Sequence, residues 1–191
     1  MNNTNLFALP DDLPVPQDDG ACNHLIGREI PSITLSRSGG ETVNVRDAAQ
    51  KLTVFFFYPE TGKPGMELDQ EWDLIPGARG CTPELCEVRD LAEEFRMLDV
   101  QVFGVSIQPT QDHNEFIART RFPFSLLSDQ NLTLASALKL PTFIYREKAF
   151  IKRVTLVAHR GRIIKVFYPV FPPDKHPKEV LRWIQTNNPA R

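Results

Sequence analysis

The segment from Leu52 to Tyr58 constrains the fold of this chain more than any other. It reads Leu-Thr-Val-Phe-Phe-Phe-Tyr, a run of β-branched and aromatic residues without alternation between apolar and polar positions. Such a run is typical of a central strand that is covered on both faces. It is also far too short to cross a bilayer as a helix.

The patterns on either side of this run predict an α/β sandwich of the thioredoxin kind, with a central mixed sheet flanked by helices. Alternating apolar residues around Ser38-Gly39-Gly40 predict an N-terminal hairpin ahead of that sheet. The remaining predicted strands cover 100–107, 124–127, 152–158 and 163–168, and the predicted helices cover 82–98, 112–121, 131–138 and 177–186. The glycine- and proline-rich stretch 59–80 is predicted to be a loop, and a loop of that length is usually functional.

Length and charge limit the domain organisation and the partners. A chain of 191 residues fits a single domain, which we place at 26–191 behind an irregular, proline-containing arm at 1–25. The formal net charge of −2 does not indicate a nucleic-acid or anionic-membrane partner. The first residues lack the basic start and apolar stretch of a secretory signal, so we expect a cytoplasmic location.

The chain has three cysteines, Cys22, Cys81 and Cys86. A disulfide scaffold is not expected, because this number is small and odd. Cys81 lies where the long loop turns into a predicted helix. Unpaired backbone N–H groups and the positive end of the helix dipole favour an anion at such a point. We therefore expect the pKa of the Cys81 thiol to be lowered, which would make it a nucleophile.

Cys86 follows five residues later on the same predicted helix. Ideal helix geometry separates the two Cα atoms by roughly 8.6 Å, whereas a disulfide requires less than about 7 Å. A bond between the two cysteines would therefore require the helix start to unwind, which is a property of a catalytic disulfide and not of a permanent one.

Other interpretations of the cysteines remain open at this point. Cys86 alone fits a buried, inert thiol, and Cys22 is interpreted as a bystander in the arm. A metal site lacks a second pair of ligands, because the four histidines are scattered along the chain. A dithiol reductase would have only two residues between its cysteines.

The segment Cys81–Asp90, Cys-Thr-Pro-Glu-Leu-Cys-Glu-Val-Arg-Asp, resembles the active-site helix of Q-type peroxiredoxins, also called bacterioferritin comigratory proteins. Three further segments resemble landmarks of that family in the same order, and the resemblance spans 31–187. These segments are Tyr58-Pro59, Phe124-Ser-Leu-Leu-Ser-Asp129 and Lys152-Arg153-Val-Thr-Leu-Val157.

The resemblance implies a thiol peroxidase. Cys81 would attack the O–O bond of hydrogen peroxide or a small organic hydroperoxide and become a sulfenic acid, and Cys86 would then form a disulfide with it. Thioredoxin or glutaredoxin would reduce that disulfide. Arg153 matches the family's active-site arginine, and a fixed guanidinium favours both a thiolate and charge on peroxide oxygens. Glu84 and Arg89 match positions near the site. No metal or organic cofactor is needed, because the cysteine carries the chemistry.

The approach to Cys81 departs from the family pattern. The positions of the usual active-site proline and threonine hold Leu74 and Ala78, while Pro59 lies much further upstream. We interpret 61–80, which includes Trp72, as an insertion that shapes the substrate entrance or an interface. The hydroxyl of the family threonine would be supplied by Thr61, if its loop folds back, or by Thr82. Alternatively, a backbone group would replace it.

Two alternatives to the two-cysteine peroxidase are a one-cysteine peroxidase resolved by an external thiol and a redox sensor that passes oxidation to a client. The sequence is compatible with a monomer or a homodimer.

Overall fold

The computed structural model describes residues 5–65 and 69–187. Its strands are β1 (Thr34–Arg37), β2 (Thr42–Asn44), β3 (Thr53–Phe57), β4 (Gln101–Ser106), β5 (Ser125–Ser128), β6 (Thr142–Tyr145), β7 (Lys148–Ile151), β8 (Val154–His159) and β9 (Arg162–Phe167). Its helices are α1 (Val45–Ala48), α2 (Gln70–Asp73), α3 (Cys81–Asp90), α4 (Ala92–Met97), α5 (Thr110–Thr120), α6 (Thr133–Leu138) and α7 (His176–Asn187). Within these two ranges, no helix combines the length and apolarity needed to cross a membrane.

Seven strands form one mixed sheet in the order β2-β1-β5-β4-β3-β8-β9. Strand β3 lies inside the sheet, parallel to β4 and antiparallel to β8. The predicted N-terminal hairpin, β1–β2, joins the sheet through antiparallel pairing of β1 with β5. The predicted mixed sheet with flanking helices and a preceding hairpin is therefore confirmed.

Strand β3 is buried along its whole length, as its continuous apolar run predicts. Phe55 and Phe57 pack into one core, together with residues of α6. Val54 and Phe56 pack into a second core, together with residues of α3 and α7. Because α3 lies directly on this second face, its first residue is held against the end of the central strand.

The predicted elements differ from the structure in two helices. The stretch 59–80 is not all loop, since it contains the single turn α2, where the Asp69 side chain accepts a hydrogen bond from the Glu71 N–H at 3.0 Å. The helix predicted over 82–98 divides at Leu91 into α3 and α4. Leu91 leaves helical geometry at φ −96° and ψ 14°, and the apolar spacing alone does not reveal such a break.

The sequence did not predict the hairpin of β6 and β7. These two strands pair antiparallel and form a sheet of their own, outside the main one. Phe143 and Phe150 stack across the hairpin with ring centroids 5.6 Å apart. The hairpin rests on the core through Phe150, which is 4 % exposed.

Residues 5–25, which we call the arm, form turns, and the first residues of the arm lie against the loop ahead of α3. The Leu6 side chain lies 2.5 Å from the point where a Cβ on Gly62 would stand, and the Leu9 side chain lies 2.9 Å from the equivalent point on Gly80. The backbone carbonyl of Asn5 accepts a hydrogen bond from Arg79 at 3.4 Å. The arm therefore packs closely where these glycines lack side chains.

Candidate active site

Cys81 is the first residue of α3 and is only 2 % exposed. Gly80 precedes it with φ 104°, a left-handed conformation that favours glycine. A Cβ on Gly80 would stand 2.4 Å from the ring of Pro173. No side chain caps the helix start, so the first N–H groups of α3 remain available near the sulfur.

Arg153 lies immediately before β8, and its guanidinium reaches across to Cys81. One terminal nitrogen, Nη2, donates to the Cys81 Sγ at 3.1 Å and to the Arg79 carbonyl at 3.1 Å. The other, Nη1, forms an ion pair with Glu84, which is one helical turn after Cys81. The side chains of Arg153 and Glu84 are 2 % and 0 % exposed. The structure thus brings together Cys81, Glu84 and Arg153, which we call the active-site floor.

Burial dominates the protonation of the floor. It raises the pKa of Glu84 to about 7, against the lowering effect of Arg153. Burial also raises the pKa of the Cys81 thiol, while Arg153 and the Glu60 backbone N–H act in the opposite direction. The lowered Cys81 pKa expected from the helix start is therefore wrong for this buried resting state. Sequence spacing places the cysteine at the helix start but does not show that water is excluded.

Pro59 and Thr61 follow the end of β3, and both are buried. The peptide between Pro59 and Glu60 carries the N–H that bonds to the Cys81 sulfur. The Thr61 hydroxyl donates to the Gln108 side chain at 3.0 Å, and the Thr82 hydroxyl accepts from the Gly62 N–H at 3.3 Å. Both hydroxyls considered as substitutes for the family threonine therefore have other partners, and a backbone N–H lies at the sulfur.

Cys86 lies on the same helix as Cys81, and both are free thiols. Cys86 is 9 % exposed, and burial raises its pKa. Cys22 packs in the core on the opposite face of the sheet from Cys81, and burial raises its pKa to about 12. Arg89 donates to the Thr120 carbonyl at 3.0 Å and pairs with Asp90, so its guanidinium is engaged away from the floor.

A cavity of about 340 Å³ opens above Cys81. Its walls come from the segment between β3 and α3 and from the β6–β7 hairpin. The aromatic lining residues are Trp72, Tyr145 and Phe150, which we call the aromatic wall. Within the described ranges, no group of three or more His, Cys, Asp or Glu residues is placed to hold a metal ion.

Comparison with known proteins identifies the family. A model of the Redoxin family matches residues 25–181. The chain belongs to the Redoxin family, as a peroxiredoxin. It is 34 % identical over 164 residues to peroxiredoxin Bcp of Bacillus subtilis (strain 168), covering 84 % of this chain and 94 % of that relative. It is 26 % identical over 186 residues to chloroplastic peroxiredoxin Q of Populus jackii, covering 94 % and 79 %.

A solved structure supports the same assignment. Peroxidoxin BcpB from Mycobacterium tuberculosis superimposes with a TM-score of 0.69 at 26 % identity, covering 85 % of this chain and 98 % of that one. The resemblance to Q-type peroxiredoxins is confirmed, and the peroxiredoxin is an enzyme, a thiol peroxidase.

Sequence reasoning missed several residues that surround the sulfur in this peroxiredoxin. Glu60, Gln108, Tyr145 and Phe150 were not singled out, although each lines the cavity or bonds to a residue that does. One signal was available, since Thr142-Phe143-Ile144-Tyr145 is a short run of β-branched and aromatic residues, which is typical of a strand. Nothing local to Glu60 or Gln108 marks them, because their neighbours are distant in sequence.

Proposed function

We propose that Cys81 is the peroxidatic cysteine of this thiol peroxidase. The observation that carries the proposal is the 3.1 Å contact between the Cys81 Sγ and the Arg153 guanidinium, at a helix start that opens into a cavity. A cation fixed by a carboxylate and a carbonyl supports a thiolate and also offers charge to an incoming peroxide.

In the first step, the Cys81 thiolate attacks the terminal oxygen of the hydroperoxide. The O–O bond breaks and the sulfur keeps the terminal oxygen as a sulfenic acid. The other oxygen takes up the proton that the Cys81 thiol gave up and leaves as water or an alcohol. Arg153 stabilises the negative charge that develops on the peroxide oxygens. Glu84 positions Arg153 through the buried ion pair.

Pro59 and Thr61 have supporting roles in the proposal. Pro59 has a restricted φ, which fixes the peptide that carries the Glu60 N–H towards the sulfur. Thr61 and Gln108 bond to each other through side chain and backbone, with the Thr61 N–H donating to the Gln108 side chain at 2.9 Å. This buried pair holds the loop after β3 in place beside Cys81.

In the second step, the Cys86 thiol attacks the Cys81 sulfenic acid, a disulfide forms and water leaves. The cysteines are five residues apart in α3, so the first turns must unwind before the sulfurs meet. A dithiol such as thioredoxin or glutaredoxin then reduces the disulfide and becomes a disulfide itself.

The substrate of the proposed cycle is hydrogen peroxide or an organic hydroperoxide. The bacterioferritin comigratory protein of Xanthomonas campestris, which is 23 % identical to this chain, has alkyl peroxide reduction activity. The cytoplasmic location, the division into arm and domain, and the monomeric or homodimeric state stay predictions.

The test is peroxide consumption in the presence of thioredoxin, thioredoxin reductase and NADPH. We expect Cys81→Ser to abolish turnover, and Cys86→Ser to retain one oxidation of Cys81 but lose recycling. Cys22→Ser is the matched control and should turn over like the natural chain, since Cys22 lies on the other face of the sheet.

Mass spectrometry after peroxide treatment separates the alternatives. The two-cysteine cycle gives an internal Cys81–Cys86 disulfide, whereas a one-cysteine cycle gives a Cys81 sulfenic acid that only an added thiol resolves. Turnover by Cys81→Ser at the natural rate would contradict the proposal.

A further inference from the structure

The cavity above Cys81 has a built aromatic wall. The Trp72 ring meets the Phe150 ring at 4.9 Å and the Tyr145 ring at 5.3 Å, both nearly edge-on. Trp72 belongs to the inserted segment, whereas Tyr145 and Phe150 belong to the β6–β7 hairpin. Two regions far apart in the sequence therefore form one apolar surface beside the nucleophile.

Asp69 fixes the two regions to each other. Its side chain caps α2 through the Glu71 N–H at 3.0 Å, accepts from the Tyr145 hydroxyl and pairs with Arg146. The wall is thus formed before any substrate arrives, and a preformed apolar surface binds an apolar group at a lower entropic cost.

The cations around the cavity already have partners. Lys63 pairs with Asp112 at 2.8 Å, and Arg146 pairs with Asp69. Lys148 lies over the Phe150 ring at 5.1 Å. Since these cations are engaged, the aromatic wall is the surface that the entrance offers to an apolar group.

The cavity is much larger than hydrogen peroxide requires. Its volume of about 340 Å³ falls in the range of small-molecule sites, whereas a water molecule occupies about 30 Å³ of liquid. Cys81 is only 2 % exposed, so a narrow –OOH group reaches the sulfur while the rest of a larger substrate stays against the wall.

We infer that the preferred substrate is an organic hydroperoxide with a bulky apolar or aromatic body, and that Trp72 determines this preference. The inference rests on the proposed function and adds to it the class of substrate. The body of the hydroperoxide packs on Trp72, and its oxygen–oxygen bond lies over Cys81.

The test compares kcat/KM for cumene hydroperoxide with kcat/KM for hydrogen peroxide in the same preparation. We expect the ratio to favour cumene hydroperoxide in the natural chain, and to fall by about ten-fold or more in Trp72→Ala, mainly through KM. Trp183→Ala is the matched control. Trp183 is the other tryptophan; it packs on Phe167, in a different core from Trp72, and does not line the cavity. It should leave the ratio unchanged.

A measurement on the natural chain avoids the risk that Trp72→Ala does not fold. The alcohol 2-phenyl-2-propanol has the aromatic body without the peroxide, and we expect it to inhibit hydrogen peroxide turnover competitively, while tert-butanol at the same concentration does not.

Equal effects of the two alcohols, or a ratio that favours hydrogen peroxide, would overturn the inference. If hydrogen peroxide is still consumed through Cys81, the proposed function stands and only the substrate class is wrong. If Cys81→Ser turns over both peroxides like the natural chain, the proposed function itself fails.

Discussion

The active-site floor and the aromatic wall face the same cavity but are built by opposite means. The floor consists of three ionisable groups, each at most 3 % exposed and held by the core of the sheet. The wall consists of aromatic rings, partly exposed at Trp72 and Tyr145, held by the segment that contains α2 and by one hairpin. The floor can act on charge, which is strong where water is excluded, and the wall can act only through contact area.

The difference separates chemistry from selection. A peroxide O–O bond is the same in every hydroperoxide, so the floor has no reason to distinguish substrates. The body of the hydroperoxide is what varies, and it meets only the wall. Changes to the floor should therefore affect all substrates alike, and changes to the wall should affect them unequally.

Removing the charge of the floor is the strongest way to test this separation. We expect Arg153→Met to lower kcat/KM for hydrogen peroxide and cumene hydroperoxide by the same factor, about 100-fold or more, because both lose the cation beside the reacting oxygens. Stability should also fall by about 1–3 kcal/mol, since Glu84 loses its ion-pair partner and is left as a buried carboxyl with an unmade hydrogen bond. Steady-state kinetics and urea unfolding measure the two effects.

Lys152→Met is the matched control for this change. Lys152 is the preceding residue, and its side chain is 35 % exposed and paired with Asp19 at 3.1 Å. It should keep both rates close to those of the natural chain. Unequal losses for the two peroxides in Arg153→Met would break the comparison, because the floor would then be selecting substrates.

Gly80 directly precedes Cys81 and lines the cavity. We expect Gly80→Ala to destabilise the fold by about 3 kcal/mol, because it adds a Cβ in a left-handed conformation and against a proline ring. Gly62→Ala is the matched change, since its Cβ would meet only the flexible Leu6 side chain at ordinary backbone angles. We expect it to cost less than about 1 kcal/mol. If both variants lose the same stability in thermal unfolding, the left-handed conformation of Gly80 and its contact with Pro173 add no cost of their own.

The last expected effect concerns Glu84 and is seen only when the pH is changed. Burial raises the pKa of Glu84 from 4.5 to about 7 in the folded chain. Its stabilising contribution is therefore complete below about pH 4.5 and is lost as pH rises through 7, because the folded state binds the proton more tightly than the unfolded state.

We expect Glu84→Gln to remove this dependence. From pH 4.5 to 7.5, the stability of the natural chain should fall by about 3 kcal/mol relative to the variant, as measured by unfolding at several pH values. Glu87→Gln is a change at a partly exposed position one turn along, where the side chain pairs with Lys178. Its stability curve should run parallel to that of the natural chain. Parallel curves for Glu84→Gln and the natural chain would show that Glu84 stays ionised in the fold.

The floor was largely predictable from the sequence, and the wall was not. The loop and helix pattern alone places Cys81 at a helix start, whereas Glu84 and Arg153 are reached only through the resemblance of their segments to Q-type peroxiredoxins. The wall depends on Trp72 meeting a hairpin more than seventy positions away, and no local pattern encodes such a contact. The predicted direction of the Cys81 pKa shift is wrong for the same reason, since burial is a property of the whole fold.

Because Glu84 lies between Cys81 and Cys86, the proposed disulfide formation should depend on the pH of the solution. Unwinding the first turns of α3 must expose Glu84 and open its ion pair with Arg153. In the closed helix the pKa of Glu84 is about 7, so part of the molecules hold a proton on this carboxyl near neutral pH, whereas an exposed carboxyl releases it. Each disulfide formed would therefore discharge part of a proton, and each reduction would take it back, so a more alkaline solution favours the oxidised, unwound form.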